Sequence, residues 1–198
     1  MFDLLHATQY PRMPWKNGAG TTLEIARDQG INLDTFGWRV SLADVECSGG
    51  FSRFPEHARI ISVLEGAGMR LLVDGQPSRS LLPWVAFSFS GASEVHCELL
   101  GGAIRDFNLI YDPRRYQARL QWLEVQGPQQ WLSTAGTVLV FSAGTGLHVA
   151  LNSTNHADLQ QHDCLHAGGL VGVSNWQLAA TEAVMCCVIE LSEINKPA

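Results

Sequence analysis

The chain has 198 residues, of which 46% are hydrophobic and 16% charged, and its formal net charge at pH 7 is −6. This composition is typical of a folded globular protein and excludes an intrinsically disordered one. The acidic balance, with no basic cluster in the sequence, argues against a nucleic-acid partner.

No segment predicts a secretory signal or a membrane span. The first residues lack a basic start followed by an apolar run, and the most apolar stretch, LLPWVAFSFSG, is interrupted by Pro83 and too short to cross a bilayer. The five cysteines are odd in number and show no CxxC spacing, which indicates unpaired thiols in a reducing compartment. We therefore expect a cytoplasmic protein with no membrane partner.

Short strand patterns follow one another along the chain, most of them closed by Gly, Asn or Asp. The Gly-rich stretch GAGTT is a turn that leads into the strand TTLEIAR, and WRVSLADV alternates apolar with polar or small residues. No apolar pattern keeps a 3.6-residue period over three turns, so an all-β antiparallel barrel or sandwich is predicted. The later strand patterns are RIISVLEG, MRLLVDG, WVAFSFSG, DFNLIYD, TVLVFSAG, LHVALN and AVMCCVIEL.

An internal repeat divides this series of strands. A shift of 78 positions places ISVLEGAGMRLLVDG over LVFSAGTGLHVALNS, with Gly66 on Gly144 and Gly68 on Gly146. The alternative is a chance match of glycines, of which the chain has 19. We expect two tandem cupin-like barrels or jelly rolls, in residues 1–117 and 118–198, with a ligand pocket in the first.

Metal binding has little support in the sequence. The rhythm of strand, Gly-x-Gly corner and strand resembles cupin barrels, whose opening strand usually carries a metal-binding carboxylate, but here Arg59 holds that place. None of the seven histidines forms the His-x-His pair that such sites use. We expect no metal and no other cofactor. His57 and His96 are the alternative ligands.

Catalytic motifs are equally weak. The chain has no Gly-x-Ser-x-Gly nucleophile elbow, and its Gly-rich stretch lacks the ending of a phosphate loop. Asp44 and Glu46 lie one residue apart and form either an acid–base pair or a solvated strand face. No catalytic residue is predicted, and a non-catalytic binding protein is favoured over an enzyme.

Polar residues instead interrupt strands that otherwise suit a barrel wall. Arg59 shares a strand face with Ile61, Arg39 shares one with Ser41, and Asn108 shares one with Asp106. Such alternation describes either one wetted sheet face or a pocket with a few placed polar groups. An arginine in a pocket favours a carboxylate ligand, because the guanidinium fork binds carboxylates bidentately and stays charged.

Several blocks of the sequence resemble the HutD/Ves family. They are PWKNGAGTTLEIA, WRVSLADV, GGFSRFPEHARIISVLEG, DFNLIY and the ending IELSEIN, and together they extend over nearly the whole chain. Where the family usually has Pro-Gly-x-Asp-Arg, this chain has Pro-Glu-His-Ala-Arg at 55–59, so the Gly and the Asp are missing.

The resemblance implies a bicupin fold and a role beside bacterial histidine degradation. The implied ligand is formiminoglutamate or a formylated relative, and the protein would regulate or buffer the pathway. Two alternatives stay open: a cupin enzyme, metal-dependent or metal-free, acting on a related small acid, and a stress-induced protein of the Ves branch without a ligand.

With this ligand, the charged residues take complementary parts. Arg59 and Arg39 would bind carboxylates, Lys16 would add a compact positive charge, and Glu24 would accept from the formimino end. Thr137 occupies the position of Arg59 in the second repeat, so that half is expected to be structural.

Neutral residues complete the predicted site. Asn17, Ser41 and Asn108 would offer hydrogen bonds, and Trp15 or Trp38 would form an apolar wall or stack on the cationic end. Open sheet edges also favour a homodimer, because a second copy commonly covers them.

Overall fold

The computed structural model describes residues 1–14, 20–28 and 36–194 of the chain. These residues form β-strands, a short 3₁₀ helix at Ala7–Gln9 and no α-helix, which confirms the all-β prediction. None of the described segments is a helix long and apolar enough to cross a membrane. The strands are β1 (Phe2–Leu5), β2 (Arg12–Pro14), β3 (Gly20–Arg27), β4 (Trp38–Val45), β5 (Gly49–Gly50), β6 (Ala58–Glu65), β7 (Met69–Val73), β8 (Gln76–Pro77), β9 (Phe87–Ser90), β10 (Val95–Leu99), β11 (Ile104–Tyr111), β12 (Tyr116–Ser133), β13 (Thr137–Ser142), β14 (Leu147–Leu151), β15 (Asn155–Leu159), β16 (Cys164–Gly168) and β17 (Ser174–Glu193).

The strands group into two compact units. The N-terminal unit is Pro11–Arg114, and the C-terminal unit consists of Met1–Tyr10 together with the chain from Arg115 onward. The first ten residues belong to the C-terminal unit because β1 pairs antiparallel with β16, Phe2 lying opposite Ala167. The sequence pattern of β1 gives no sign of this long-range partner, and the sequence analysis placed these residues in the first half.

The N-terminal unit contains two antiparallel sheets. The larger sheet has the strand order β2-β3-β4-β11-β6-β9, and the smaller has the order β5-β10-β7-β8. Alternate side chains of the larger sheet pack against the smaller one, so that Ile61 and Val63 of β6 share a buried cluster with Met69, Leu71 and Cys97. This inward face of the larger sheet carries the polar residues described below.

The C-terminal unit is one seven-stranded sheet. Its order is β1-β16-β13-β17-β14-β15, and β12 pairs with the long β17. An apolar cluster lies in its interior: Trp176 is fully buried among Val140, Leu147 and Leu165, and Trp131 stacks on Trp176 with ring centroids 5.5 Å apart. The side chains of this cluster therefore fill the space that they enclose in the C-terminal unit. The described part of the unit also buries Asp163 and three serines.

The sequence repeat coincides with the strand bounds. The shift of 78 positions places β7, Met69–Val73, on β14, Leu147–Leu151, and it also brings the start of β9 to within one residue of β16. The corner glycines Gly66, Gly68 and Gly146 all have positive φ, as tight turns between such strands require.

Candidate ligand-binding site

Strand register places five of the predicted residues on one face of the larger N-terminal sheet. Ser41 of β4 lies opposite Glu24 of β3 on one side and opposite Asn108 of β11 on the other. Arg39, two residues before Ser41, and Arg59 of β6 both lie opposite Ile110 of β11. Because directly opposed residues point to the same face, these side chains share the face that carries Ile61 and Val63.

Arg59 is a buried cation surrounded mainly by aromatic rings. Only 5% of the residue is exposed. Its guanidinium carbon lies 5.0 Å from the ring centroid of Phe89, the residue opposite Arg59 on β9. The same carbon lies 5.4 Å from the ring centroid of Phe51 and 5.7 Å from that of Phe54. Burial lowers the pKa of Arg59 to about 10, so the group keeps its charge at neutral pH. Cation–π attraction replaces part of the lost hydration.

The hydrogen bonds of Arg59 leave one end of its guanidinium open. Nε donates to Oδ1 of Asn108 at 3.4 Å, and Nη1 donates to the backbone carbonyl of Ser52 at 3.2 Å. Nη2 makes no hydrogen bond to any of the residues that the structure describes. A buried guanidinium with an unused N–H pair is suited to receive an oxygen anion.

Arg39 occupies a similar aromatic setting. Its guanidinium carbon lies 5.1 Å from the ring centroid of Phe36 and 5.4 Å from that of Phe54. The ring of Phe54 is therefore shared, with Arg39 and Arg59 both within 6 Å of it. We call Arg39, Arg59 and the rings around them the arginine site.

A tight loop before β6 carries the shared ring. Phe54 N–H donates to the carbonyl of Gly91 at 2.7 Å, Gly91 N–H to that of His57 at 2.8 Å, and His57 N–H to that of Phe54 at 2.9 Å. A Cβ on Gly91 would lie 2.4 Å from the Phe54 carbonyl oxygen, so only glycine fits there. The His57 ring donates through Nε2 to the carbonyl of Phe36 at 3.0 Å, which also ties Phe36 to this loop.

Asp106 is the buried carboxylate of this face. It is 1% exposed and lies opposite Ala43 and Val63, one step along β11 from Asn108. Burial raises the pKa of Asp106 to about 7, although the charge of Arg59 and a hydrogen bond from Asn108 lower it. Its Oδ1 atom has no hydrogen-bond partner among the described residues.

Glu24 is already engaged through one oxygen. Its Oε1 accepts from Nε of Arg27 at 3.2 Å, across a β-bulge between Glu24 and Ala26. Its buried Oε2 has no hydrogen-bond partner in the part of the chain that the structure describes. Glu24 therefore lies opposite Ser41 with one buried oxygen that the described residues leave without a donor.

The tryptophan prediction is wrong for Trp38. Trp38 is buried, but it precedes Arg39 in the same strand and points to the opposite face of the sheet, away from the arginine site. Phenylalanine rings provide the apolar wall instead. Trp15, Lys16 and Asn17 lie outside the described residues.

The other candidate groups are separate from the arginine site. Asp44 binds Arg105 at 2.6 Å, and Glu46 is exposed, so the solvated-face interpretation describes this pair. His57 is bonded to a backbone carbonyl, and His96 is an exposed residue of β10. The described residues contain no group of three His, Cys, Asp or Glu side chains that could hold a metal ion.

An open cleft lies beside the arginine site. Its volume is about 460 Å³, and Phe89, whose ring packs on Arg59, is part of its wall. The remaining lining residues are Pro55, Glu56, His57, Ala58, Ser88, Ser90, Pro113 and Arg114.

The sequence analysis did not assign the aromatic residues, Ser52 or Asp106 to the site. The phenylalanines come from three separate segments, and only the fold brings them around the two guanidinium groups. The block FSRFPEH, which ends directly before β6, was the available signal, because a short loop before Arg59 must return beside it. For Asp106, the signal was its two-residue spacing from Asn108.

Comparisons with known proteins give a consistent picture. The family model HutD matches residues 7–187. The chain is 56% identical over 190 residues to an uncharacterized 21.2 kDa protein in the hutC 3' region of Pseudomonas putida, with 96% of each chain covered. It is 57% identical to the conserved protein of unknown function PA5104 from Pseudomonas aeruginosa PAO1, whose crystal structure matches with a TM-score of 0.96 over 97% of this chain and 99% of that one. The structure of HutD from Pseudomonas fluorescens SBW25 is 48% identical and matches with a TM-score of 0.86 over 98% and 100% of the two chains.

More distant matches define the fold. Protein Ves of Escherichia fergusonii is 37% identical over 97 residues, about half of each chain. The crystal structure of protein Ylba from E. coli matches with a TM-score of 0.72 at 10% identity over 100% and 92% of the two chains, which shows a shared cupin-like fold and no more.

We expect Gly91→Ala to destabilise the protein by roughly 2–4 kcal/mol, because the new methyl group collides with backbone that cannot move without breaking the loop before β6. Gly50→Ala is the matched control. Its Cβ meets nothing closer than 3.9 Å, so its cost should stay within about 1 kcal/mol. Urea unfolding measures both, and equal losses would contradict the packing assigned to Gly91.

Arg59→Met should leave the free energy of unfolding within about 1 kcal/mol of wild type at pH 6, because an apolar side chain suits the aromatic surroundings and avoids desolvating a cation. At this pH Asp106 is mostly protonated and needs no counter-charge. A loss above about 3 kcal/mol in urea unfolding would instead make Arg59 a structural residue.

Proposed function

The chain belongs to the HutD family, and we propose that its N-terminal unit binds a small dicarboxylate of the formiminoglutamate or N-formylglutamate class. One observation carries the proposal: two guanidinium groups face the interior of one unit, within 6 Å of the same Phe54 ring. Asp106, the buried carboxylate whose charge acts on Arg59, has a pKa raised by burial to about 7, so it does not fully balance Arg59. The arginine site therefore favours an anion.

The spacing of the two arginines suits two carboxylates on one ligand. Arg39 and Arg59 flank the single strand β11, so their backbones lie about 10 Å apart, twice the usual distance between neighbouring strands. Two long side chains that converge on one ring from that separation would each take one carboxylate of a short five-carbon diacid. A glutamate skeleton has this size.

The planar end of the ligand would meet neutral and acidic groups. Ser41 and Asn108 stand opposite one another in the row next to the two arginines on the same face, and Glu24 lies opposite Ser41 on β3. The unpartnered Oε2 of Glu24 suits an N–H donor, which formiminoglutamate and N-formylglutamate both carry. Lys16 and Asn17 stay predicted contributors from outside the described residues.

We further propose that the chain is a bicupin whose C-terminal half is structural. The coincidence of the 78-residue repeat with strand bounds supports the duplication. The C-terminal unit has Thr137 where the N-terminal unit has Arg59, and its buried cluster around Trp176 is apolar. An interior of that kind has no group to hold a carboxylate.

The proposed role is to regulate or buffer histidine catabolism by binding one of its intermediates. The position of the P. putida relative in the hutC 3' region supports this link, together with membership of the HutD family. A binder of this type acts by occupancy, so the affinity of the arginine site, rather than a rate, is its functional quantity.

Isothermal titration calorimetry with formiminoglutamate, N-formylglutamate and glutamate tests the proposal. We expect at least one of the first two to bind, and glutamate to bind more weakly because its ammonium group approaches the two guanidinium groups. The absence of heat from all three, with protein shown to be folded by circular dichroism, would end the proposal.

Arg59→Met should weaken binding of the tightest of these acids by roughly 2–5 kcal/mol, because it removes one partner of a buried charge pair. Arg105→Met is the matched control, since Arg105 lies on the same sheet but pairs with Asp44 and Glu65. The control should bind as wild type does. Equal binding by Arg59→Met and wild type would refute the assignment of Arg59.

A further inference from the structure

Asn108 stands between Arg59 and a carboxylate deeper in the same face. Nε of Arg59 donates to Oδ1 of Asn108 at 3.4 Å, and Asp106 lies two residues before Asn108 on the same face of β11. Asp106 is almost completely buried, and its Oδ1 has no hydrogen-bond partner among the described residues. A buried carboxylate with an unused oxygen is costly when ionised, unless a cation balances it.

The charged and titratable groups around Asp106 come from four strands. Arg59 on β6 supplies the positive charge that acts on it, and the Cys97 thiol on β10 stays neutral because burial raises its pKa to about 12. Asp44 on β4 adds a negative charge but is itself bonded to Arg105. On the same face, Glu24 of β3 is paired with Arg27. Arg39 of β4 carries the same charge as Arg59 and lowers the pKa of Arg59 by repulsion. Arg59 is therefore the cation that balances an ionised Asp106.

A ligand carboxylate at Arg59 changes this balance. We propose that binding of a carboxylate at the arginine site is coupled to the uptake of a proton by Asp106, which passes from counter-ion of Arg59 to a neutral acid. The inference rests on the proposed function, because it requires that the ligand neutralise Arg59. It makes Asp106 the buried counter-charge that acts on Arg59 in the free protein and gives up that role when the anion arrives.

The direction of the coupling follows from the electrostatics. In the free protein, burial raises the pKa of Asp106 to about 7 while the charge of Arg59 lowers it. Once a bound anion cancels the charge of Arg59, this lowering effect is lost and the pKa rises further. Between the free and bound pKa values, binding takes up a proton, so affinity falls as pH rises above 7 and is flat below it.

The experiment is calorimetric titration of wild-type protein with N-formylglutamate at pH 8, in triethanolamine and in Tris, two buffers without an anionic group whose ionisation enthalpies differ. This probe has two carboxyl groups and no group that titrates between pH 6 and 9, so any proton exchange belongs to the protein. We expect uptake of about 0.5–1 proton per ligand, and a dissociation constant that rises roughly three- to tenfold per pH unit between 7 and 9.

Asp106→Asn identifies the acceptor, because asparagine imitates the neutral carboxyl group in size. The variant should show no proton uptake, a dissociation constant independent of pH between 7 and 9, and binding at pH 8 at least as tight as wild type. A merely structural Asp106 would instead give weaker binding. Asp44→Asn is the matched control on the neighbouring strand and should keep the uptake.

The outcomes separate the two proposals. Binding with equal heats in both buffers, or uptake that persists in Asp106→Asn, overturns the coupling and leaves the binding function intact. Absence of binding by all three acids overturns both. If Asp106→Asn does not fold, infrared difference spectra of the wild type decide. N-formylglutamate must then produce the carbonyl band of a newly protonated carboxylic acid, and its absence refutes the coupling.

Discussion

Burial of Arg59, beside the half-buried Arg39, is the constraint on which the site depends. Desolvating a guanidinium costs several kcal/mol even after the protein relaxes, and a fold tolerates the cost only when other groups replace water. Here the replacements are phenylalanine faces, a backbone carbonyl of Ser52, an amide oxygen of Asn108 and a distant carboxylate. Rings and neutral acceptors stabilise a cation without cancelling its charge. The interior therefore keeps positive potential, and an anion can complete it.

The rigid part of the structure fixes where this potential lies. β4, β11 and β6 are neighbours in one sheet, and their register determines that the two arginines flank Ile110. The loop before β6 then packs against the guanidinium ends of Arg39 and Arg59. Three backbone hydrogen bonds around Gly91 close this loop. Loop and sheet contribute differently: the sheet sets the separation of the guanidinium groups, and the loop supplies the ring of Phe54 that both contact.

Alternation along strands explains how much of the site could be predicted from sequence. A period of two places Arg39 with Ser41, and Asn108 with Asp106, whatever the tertiary fold. It also places Trp38 on the sheet face opposite to Arg39, so Trp38 cannot line the arginine site, although a tryptophan ring is chemically suited to it. The aromatic surroundings could not be predicted, because contacts between β9, the loop before β6 and β4 depend on sheet order. The same holds for β1, whose partner β16 lies more than 150 residues away.

The two units of the chain show what the buried charges imply. Strands at equivalent positions of the repeat enclose an apolar cluster with Trp176 in one unit and the arginine site in the other. An apolar cluster such as the one around Trp176 satisfies the requirements of folding without desolvating a charge. The N-terminal unit instead buries Arg59, Asn108 and Asp106 on one sheet face. The proposed recognition of an anion, with Asp106 as a protonatable counter-charge to Arg59, accounts for all three.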